Sequence, residues 1–214
     1  GISANYSGST DTSWYDKNEN EFVITTAEEL YGLSALVNVA TFTTEKVYLG
    51  SDIVINTGLA TDWINGTNAT GLHQWQPIGT NSNNFKGTFD GNKKTIKDLK
   101  TDPNKDYQGF FGFVDGATIK NLTIEGEVVG KNYVGAVAAY ATNSTFEDCT
   151  FGNPNFSNFH VTGLNWIGGV IGYAKGSVLE LCVNYGKITG GINGYVGGLG
   201  GGGDNSSLRG CSNY

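Results

Sequence analysis

Four times in the second half of this chain an aromatic residue stands two places before a glycine and a small apolar run. The segments are Tyr107-Gln108-Gly109-Phe110-Phe111, Tyr133-Val134-Gly135-Ala136-Val137, Trp166-Ile167-Gly168-Gly169-Val170 and Tyr195-Val196-Gly197-Gly198-Leu199, with Gln108 the one exception to a branched apolar second place. Twelve residues after the first aromatic and thirteen after the others comes Ile119, Phe146, Leu179 or Leu208, followed three further on by Leu122, Cys149, Cys182 or Cys211. The period is 26, then 33, then 29 residues. Self-similarity at this spacing belongs to stacked repeat architectures and outranks local propensity.

Composition narrows the kind of repeat. Of 214 residues 33 are glycine, only 3 are proline, and 15% are charged. Glycine without proline, together with many Val, Ile, Tyr and Phe, reads as turn-dense β-structure rather than disorder. A net charge of -7, with 13 scattered Lys and Arg, argues against nucleic acid, which needs a basic face. No apolar run reaches the length of a membrane-spanning helix. The three cysteines share one place in the repeat. Parallel in-register strands lie about 4.8 Å apart but point equivalent side chains the same way, so a column of buried thiols is expected rather than a disulfide. Metal-type CxxC spacing is absent.

Along the chain, residues 1–20 form a polar lead-in, expected to be extended, and residues 21–214 a single domain. Residues 21–40 are read as a cap: a short strand at Phe22-Val23-Ile24, then a helix opened by the capping-box pair Thr26 and Glu29 and carrying Leu30, Leu33, Leu36 and Val37 at helical spacing. Such a helix can cover the unpaired first rung of a stack. Residues 41–100 are the first irregular coils. They contain strands at Val47-Tyr48-Leu49 and Ile53-Val54-Ile55, a polar loop over 56–72 with Trp63, and an expected tight turn at Asp90-Gly91. Thr95-Ile96-Lys97-Asp98-Leu99 nearly repeats Thr118-Ile119-Lys120-Asn121-Leu122, which puts a first rung at residues 86–100. Residues 101–214 are the regular repeats.

The third repeat divides into strands at Trp166 to Tyr173, Ser177 to Val183 and Lys187-Ile188-Thr189, with corners between them. Three strands and three corners in about 30 residues make one coil of a parallel β-helix; leucine-rich repeats need a helix, and propeller blades need about 40 residues. Extra residues from Asn153 to Phe159 leave as a corner loop. Gly197 to Gly203 lacks the Lys and Ser or Thr of a phosphate-cradling loop.

Chemistry is sparse. The acid pairs Glu125/Glu127 and Glu147/Asp148 fall at different points of the repeat and read as solvated strand faces. His73 and His160 lack a nucleophile at a readable spacing, and Arg209 is the lone arginine. No calcium loop is present. No catalytic residue, metal or cofactor is therefore expected. The best binding candidate is the column Tyr107, Tyr133, Trp166 and Tyr195. With the following residue turned inward, alternation sends these rings outward, where they form a platform for sugar rings or a partner protein. The competing reading, which the weighing favours, is that the rings only cover one another along a corner.

The stretches YVGAVAAY (133–140), WIGGVIGYAKGSVLELCVNYGKITG (166–190) and YVGGLGGG (195–202), with WQPIG (75–79) and FKGTFDGNKKTIKDL (85–99), resemble the GLUG-motif proteins of bacterial cell surfaces over Ala27 to Tyr214. The resemblance implies a right-handed parallel β-helix in a secreted or surface-anchored, adhesin-like bacterial protein, and supplies no catalytic residue. The zinc motif of peptidases that carry GLUG repeats, His-Glu-x-x-His, is absent. The expected function is a non-catalytic module for adhesion or ligand presentation, its partner a host or cell-wall glycan or a matrix protein. The alternatives are a polysaccharide-processing β-helix enzyme and a purely structural stalk. A start at Gly1-Ile2-Ser3 reads as a chain whose leader has been removed. Cys211-Ser212-Asn213-Tyr214 reads as an incomplete last coil whose open edge invites end-to-end self-association.

Overall fold

A computed structural model describes residues 6–56 and 72–214. The Trp63 loop lies outside the described residues. The chain winds as a β-solenoid of about six turns in which the strands of the described residues pair in parallel. The first coil is β1 (Glu21–Ile24) and α1 (Ala27–Asn38), the second β2 (Lys46–Leu49) and β3 (Ile53–Val54), the third β4 (Thr88–Lys100) and β5 (Phe111–Asp115). The fourth is β6 (Thr118–Val129), β7 (Asn132–Gly135) and β8 (Ala138–Thr142). The fifth is β9 (Thr145–Phe151), β10 (His160–Thr162), β11 (Asn165–Gly168) and β12 (Ile171–Lys175). The sixth is β13 (Val178–Glu180), β14 (Val183–Asn184), β15 (Lys187–Thr189), β16 (Val196–Gly197) and β17 (Gly200–Asp204), and β18 (Ser207–Arg209) and β19 (Ser212–Asn213) begin another.

Stacking sets one inner column in register: Phe22, Val47, Phe89, Ile119, Phe146, Leu179 and Leu208. All but Leu208, on the outermost rung, are buried. Each such side chain is worth about 1.5–3 kcal/mol of burial, so like-on-like layers are the main driving force. A second column runs Ile53, Ile96, Ile124 and Phe151, then changes chemistry to Asn184 and Asn213. Buried Asn184 satisfies its amide fully: Nδ2 donates to Gly186 O (3.0 Å) and Asn213 Oδ1 (2.9 Å), and Oδ1 accepts from Gly186 N–H (2.9 Å). The expected thiol column also forms. Leu122 pairs with Cys149, and Cys149, Cys182 and Cys211 each donate Sγ–H to the inner-column residue of the coil before, at Ile119, Phe146 and Leu179 O. All three are free thiols.

Corners repeat as faithfully as strands. Gly116, Asn143, Gly176 and Asn205 are left-handed at one corner, a position that Gly and Asn tolerate. The next residue of each later coil is a serine. Ser144 Oγ accepts from Ala117 N–H (3.0 Å), Ser177 Oγ from Ser144 N–H (3.1 Å) and Ser206 Oγ from Ser177 N–H (3.0 Å). Hydroxyls thus answer backbone donors that the turn leaves without a strand partner.

The cap forms as read. Thr26 Oγ1 accepts from Glu29 N–H (3.2 Å) and Glu29 Oε1 from Thr26 N–H (3.1 Å), while Leu30, Leu33 and Val37 enter the core. The lead-in is less free than its composition suggests: Tyr6 stacks on Tyr31 (4.1 Å), and Ser7 and Asp11 bond to Glu28. Within described residues no helix is long and apolar enough to cross a membrane.

Four local expectations change. Ser177 to Val183 is broken into β13 and β14 where Leu181 turns left-handed, with φ of 55°. Trp166 to Tyr173 is two strands, β11 and β12, because the chain bends at Gly169-Val170. Asp90-Gly91 lies inside β4, where a bulge with Asn92 and Lys93 left-handed replaces a tight turn. The two similar pentapeptides are not stacked, since Thr118 pairs with Thr88 and Ile96 with Ile124. The inner apolar column sets register, and it overrides a local identity.

Candidate functional site

Each ring of the expected column stands one place after an Asp, Asn or Gly, and that neighbour helps build the corner. Asp106 Oδ1 accepts from Asn132 N–H (3.0 Å), and Asn165 Oδ1 accepts from Trp166 N–H (3.0 Å) and Tyr195 N–H (2.7 Å). Tyr107, Tyr133 and Trp166 are left-handed, with φ of 56°, 62° and 55°. The residues after them, Gln108, Val134 and Ile167, turn inward and are buried. The rings point out, but a left-handed kink puts them there rather than plain strand alternation.

They form a ladder. Tyr107 and Tyr133 stack at 4.7 Å and 4°, Tyr133 and Trp166 at 4.6 Å and 6°, and Trp166 and Tyr195 at 5.9 Å and 25°. A second ladder stands beside it: Phe113, Tyr140 and Tyr173, which share register on β5, β8 and β12. The two interlock edge to face, as in Tyr133 with Tyr140 at 5.6 Å and 63°. The second ladder stops at Gly202, where a Cβ would meet Trp166 Cδ1 at 2.9 Å and Tyr173 Cδ2 at 3.0 Å. Its signal was present in the sequence as Phe113, Tyr140 and Tyr173, six or seven residues after the first three ladder aromatics.

Stacking decides what the rings can do. The faces of Tyr133 and Trp166 are spent on their neighbours, so these rings offer only edges and, for Tyr133, a hydroxyl. At one end Tyr107 is covered on its other side by Phe113 at 4.4 Å, so a free face remains on Tyr195, which is 64% exposed. Burial, then the Asp106 charge, raises the Tyr107 hydroxyl above the usual tyrosine range, and burial among neighbouring rings does the same for Tyr133. Both remain neutral donors well into alkaline solution.

No family model matches the chain, and neither a characterised protein nor a solved structure is similar to it at a significant level.

At its N-terminal end the ladder runs into a groove of about 270 Å³ whose walls include Gln74, Gln76, Asp102, Lys105, Tyr107 and Phe113. Trp75 is turned away from it into the core, stacked on Phe110 at 5.2 Å and 7°.

The acid pairs read as solvated strand faces divide: Glu147 and Asp148 are exposed, as expected, whereas Glu125 and Glu127 are half-buried on β6. Glu127 is engaged by Lys100 at 2.9 Å. Glu125 meets Asp98, which is left-handed at a bulge where Lys97 and Asp98 of β4 lie opposite Glu125 of β6. Burial, then repulsion from Glu125, pushes Asp98 up to about 7. Burial also raises Glu125, against a bond to Asn153 and the Lys97 charge. This pair, 27 residues apart, depends on the bulge and has no sequence signature. His160 pairs with Glu127 on one side and Lys187 on the other; burial lowers its pKa, Glu127 opposing and Lys187 reinforcing. His73 packs edge-on against Tyr6 at 4.7 Å. Among the described residues no three His, Cys, Asp or Glu side chains are grouped to hold a metal ion.

Proposed function

We propose that the chain is a non-catalytic extracellular module of a bacterial surface protein of GLUG-motif type, serving adhesion or ligand presentation. The observation behind this reading is the pair of outer aromatic ladders, with four rings in one and three in the other. A solenoid needs its inward columns to be apolar, whereas its outward columns can be any soluble residue. Here the outer columns are aromatic over successive coils, and three of the rings sit in a conformation costing an L-residue about 1–2 kcal/mol. Half-covered rings in a contiguous outer strip suit a partner that brings apolar faces and hydroxyls together, such as a host or cell-wall glycan or a matrix protein.

Tyr195→Ala, which opens no core, and Trp166→Phe, which keeps the stack, test the ladder. Binding of the native protein to immobilised glycans and matrix proteins should weaken in both. Binding that survives both changes removes the ladder as the contact, and failure of the native protein to bind favours the stalk.

One observation favours a second reading, a polysaccharide-processing enzyme. A carboxyl near 7 beside an ionised carboxylate is the arrangement from which a general acid and its partner are made. Release of reducing ends from polysaccharides by the native protein, abolished in Asp98→Asn, would establish it.

A further inference from the structure

Resting on the reading that the outer strip takes a ligand, we propose that the groove at the Tyr107 end of the ladder is a binding site for a neutral saccharide unit. The groove is where the repeat breaks its own rules. Gln108 takes the place that Val134, Ile167 and Val196 hold in the other repeats, yet it is as buried as Val134 and Ile167. Its amide reaches into the preceding turn: Oε1 accepts from Asp102 N–H (3.1 Å) and Nε2 donates to Asp106 O (3.1 Å). An apolar residue would fill the same inward place but could not hold residues 102–106 in position. That segment is one wall of the groove.

The opposite wall is held just as firmly by the cap helix. Tyr31 Oη donates to Gln74 O (2.8 Å), Ser34 Oγ to Gln76 O (2.7 Å) and Asn38 Nδ2 to Pro77 O (3.1 Å), while Asn38 Oδ1 accepts from Gly79 N–H (2.8 Å). With the backbone pinned and Trp75 anchored by its Nε1–H on Phe110 O (2.8 Å), the side chains of Gln74 and Gln76 are left exposed. Neither has a partner among the described residues. Such preorganisation lowers the ordering cost of binding.

The lining selects the ligand class. Primary amides offer donors and acceptors together, as a ring of hydroxyls requires, and Tyr107 and Phe113, packed on each other at 4.4 Å and both lining the groove, give an aromatic wall for sugar C–H groups. Lys105 and Asp102 offset each other at 3.9 Å, and Asp106 leaves the rim net negative, which disfavours uronates, sialates and phosphates. The volume, about 270 Å³, lies below the roughly 300–1,000 Å³ of drug-sized sites, so the groove takes a chain end or one unit of a longer glycan.

The test is titration of the intact chain with neutral hexose and N-acetylhexosamine oligosaccharides and with uronate-bearing counterparts, followed by calorimetry and by NMR shifts of backbone amides. A neutral oligosaccharide should bind and move the amides of residues 74–80 and 102–108. Gln74→Ala with Gln76→Ala should weaken it about tenfold, the consequence of losing two ordinary hydrogen bonds. Gln108→Val should weaken it comparably while leaving the fold intact, since Val fits that place in the repeats. No shift at these residues with any neutral saccharide, or equal binding of uronates there, overturns the proposal. Binding lost in Tyr195→Ala and kept in the double glutamine variant also overturns it, while leaving the ladder as the contact surface.

Discussion

Trp166 lies on Tyr133 with ring centroids 4.6 Å apart and planes within 6°, although 33 residues separate them in the chain. The contact comes from register. Asn165 and Ile167 pair with Asn132 and Val134 on either side of the two rings, so the ladder follows from the stacking of the coils that carry it. Because the rings fill one another's faces, the ladder both stabilises the corner and presents a strip of edges.

The left-handed kink at Tyr133 separates these contributions. Tyr133→Ala loses the stack and keeps the strain at φ 62°, whereas Tyr133→Gly loses the stack and relieves the strain. Urea unfolding should find both less stable than the native chain, with the glycine variant less affected by about 1 kcal/mol. An alanine variant as stable as the glycine variant would show that the kink carries no strain.

Asp98 makes stability depend on pH. Its folded pKa of about 7 stands above the ordinary value of 3.8, so the folded state binds the proton more tightly than the unfolded state. The stability contribution is therefore full below about 4, falls as pH rises, and is gone above about 7. Asp98→Asn, which keeps the side-chain shape without the charge and tolerates φ 58°, should raise stability at pH 8 by about 2 kcal/mol after allowance for solvent screening, and change it little at pH 4. Urea midpoints at the two pH values check this; equal shifts at both contradict it.

Asn184 replaces an apolar rung by an amide that bonds in three directions. Asn184→Ala leaves Gly186 N–H and O and the Asn213 amide short of partners and should cost about 2 kcal/mol. Asn213→Ala, on the exposed rung, should cost less. Thermal unfolding of the two variants gives the order, and a larger loss at Asn213 runs against it.

The thiols should react in sequence. Cys211 is half-buried, whereas Cys149 and Cys182 are fully buried, and a hydrogen bond with Cys182, then burial, raises the Cys149 thiol well above its ordinary value. A thiol reagent should modify Cys211 in the native chain and the other two only on unfolding. A reductant should leave the melting temperature unchanged. Fast modification of Cys149 in native protein would be inconsistent with the column.

Much of this was legible before coordinates. Leu122 and the three cysteines fall into one column because an apolar residue three places earlier marks each coil, and periodicity carries that information over any distance. The cap helix announces itself through Thr26 and Glu29. The ladder was legible as a list of residues but not as a geometry: nothing in Tyr107, Tyr133 or Trp166 as residue types signals a left-handed backbone, which bulky side chains rarely adopt. The Asp98–Glu125 pair and the groove were hidden for a different reason. Both arise where coils depart from the repeat, at the bulge in β4 and at the Gln108 turn, and periodic reasoning is blind to its own exceptions. The misleading pentapeptides at 95–99 and 118–122 show the converse, local likeness without register.

The account rests on in-register parallel stacking of coils, and through-space proton contacts measure it directly. Nuclear Overhauser spectra of the intact chain should connect the Phe146 ring to Leu179 methyls, Leu179 to Leu208, and the Tyr133 ring to the Trp166 indole, since stacked strands bring such pairs to about 4.8 Å. If those cross-peaks are missing while Phe146 and Leu179 contact residues of antiparallel neighbours, the solenoid, the ladders and the groove built on them are wrong together.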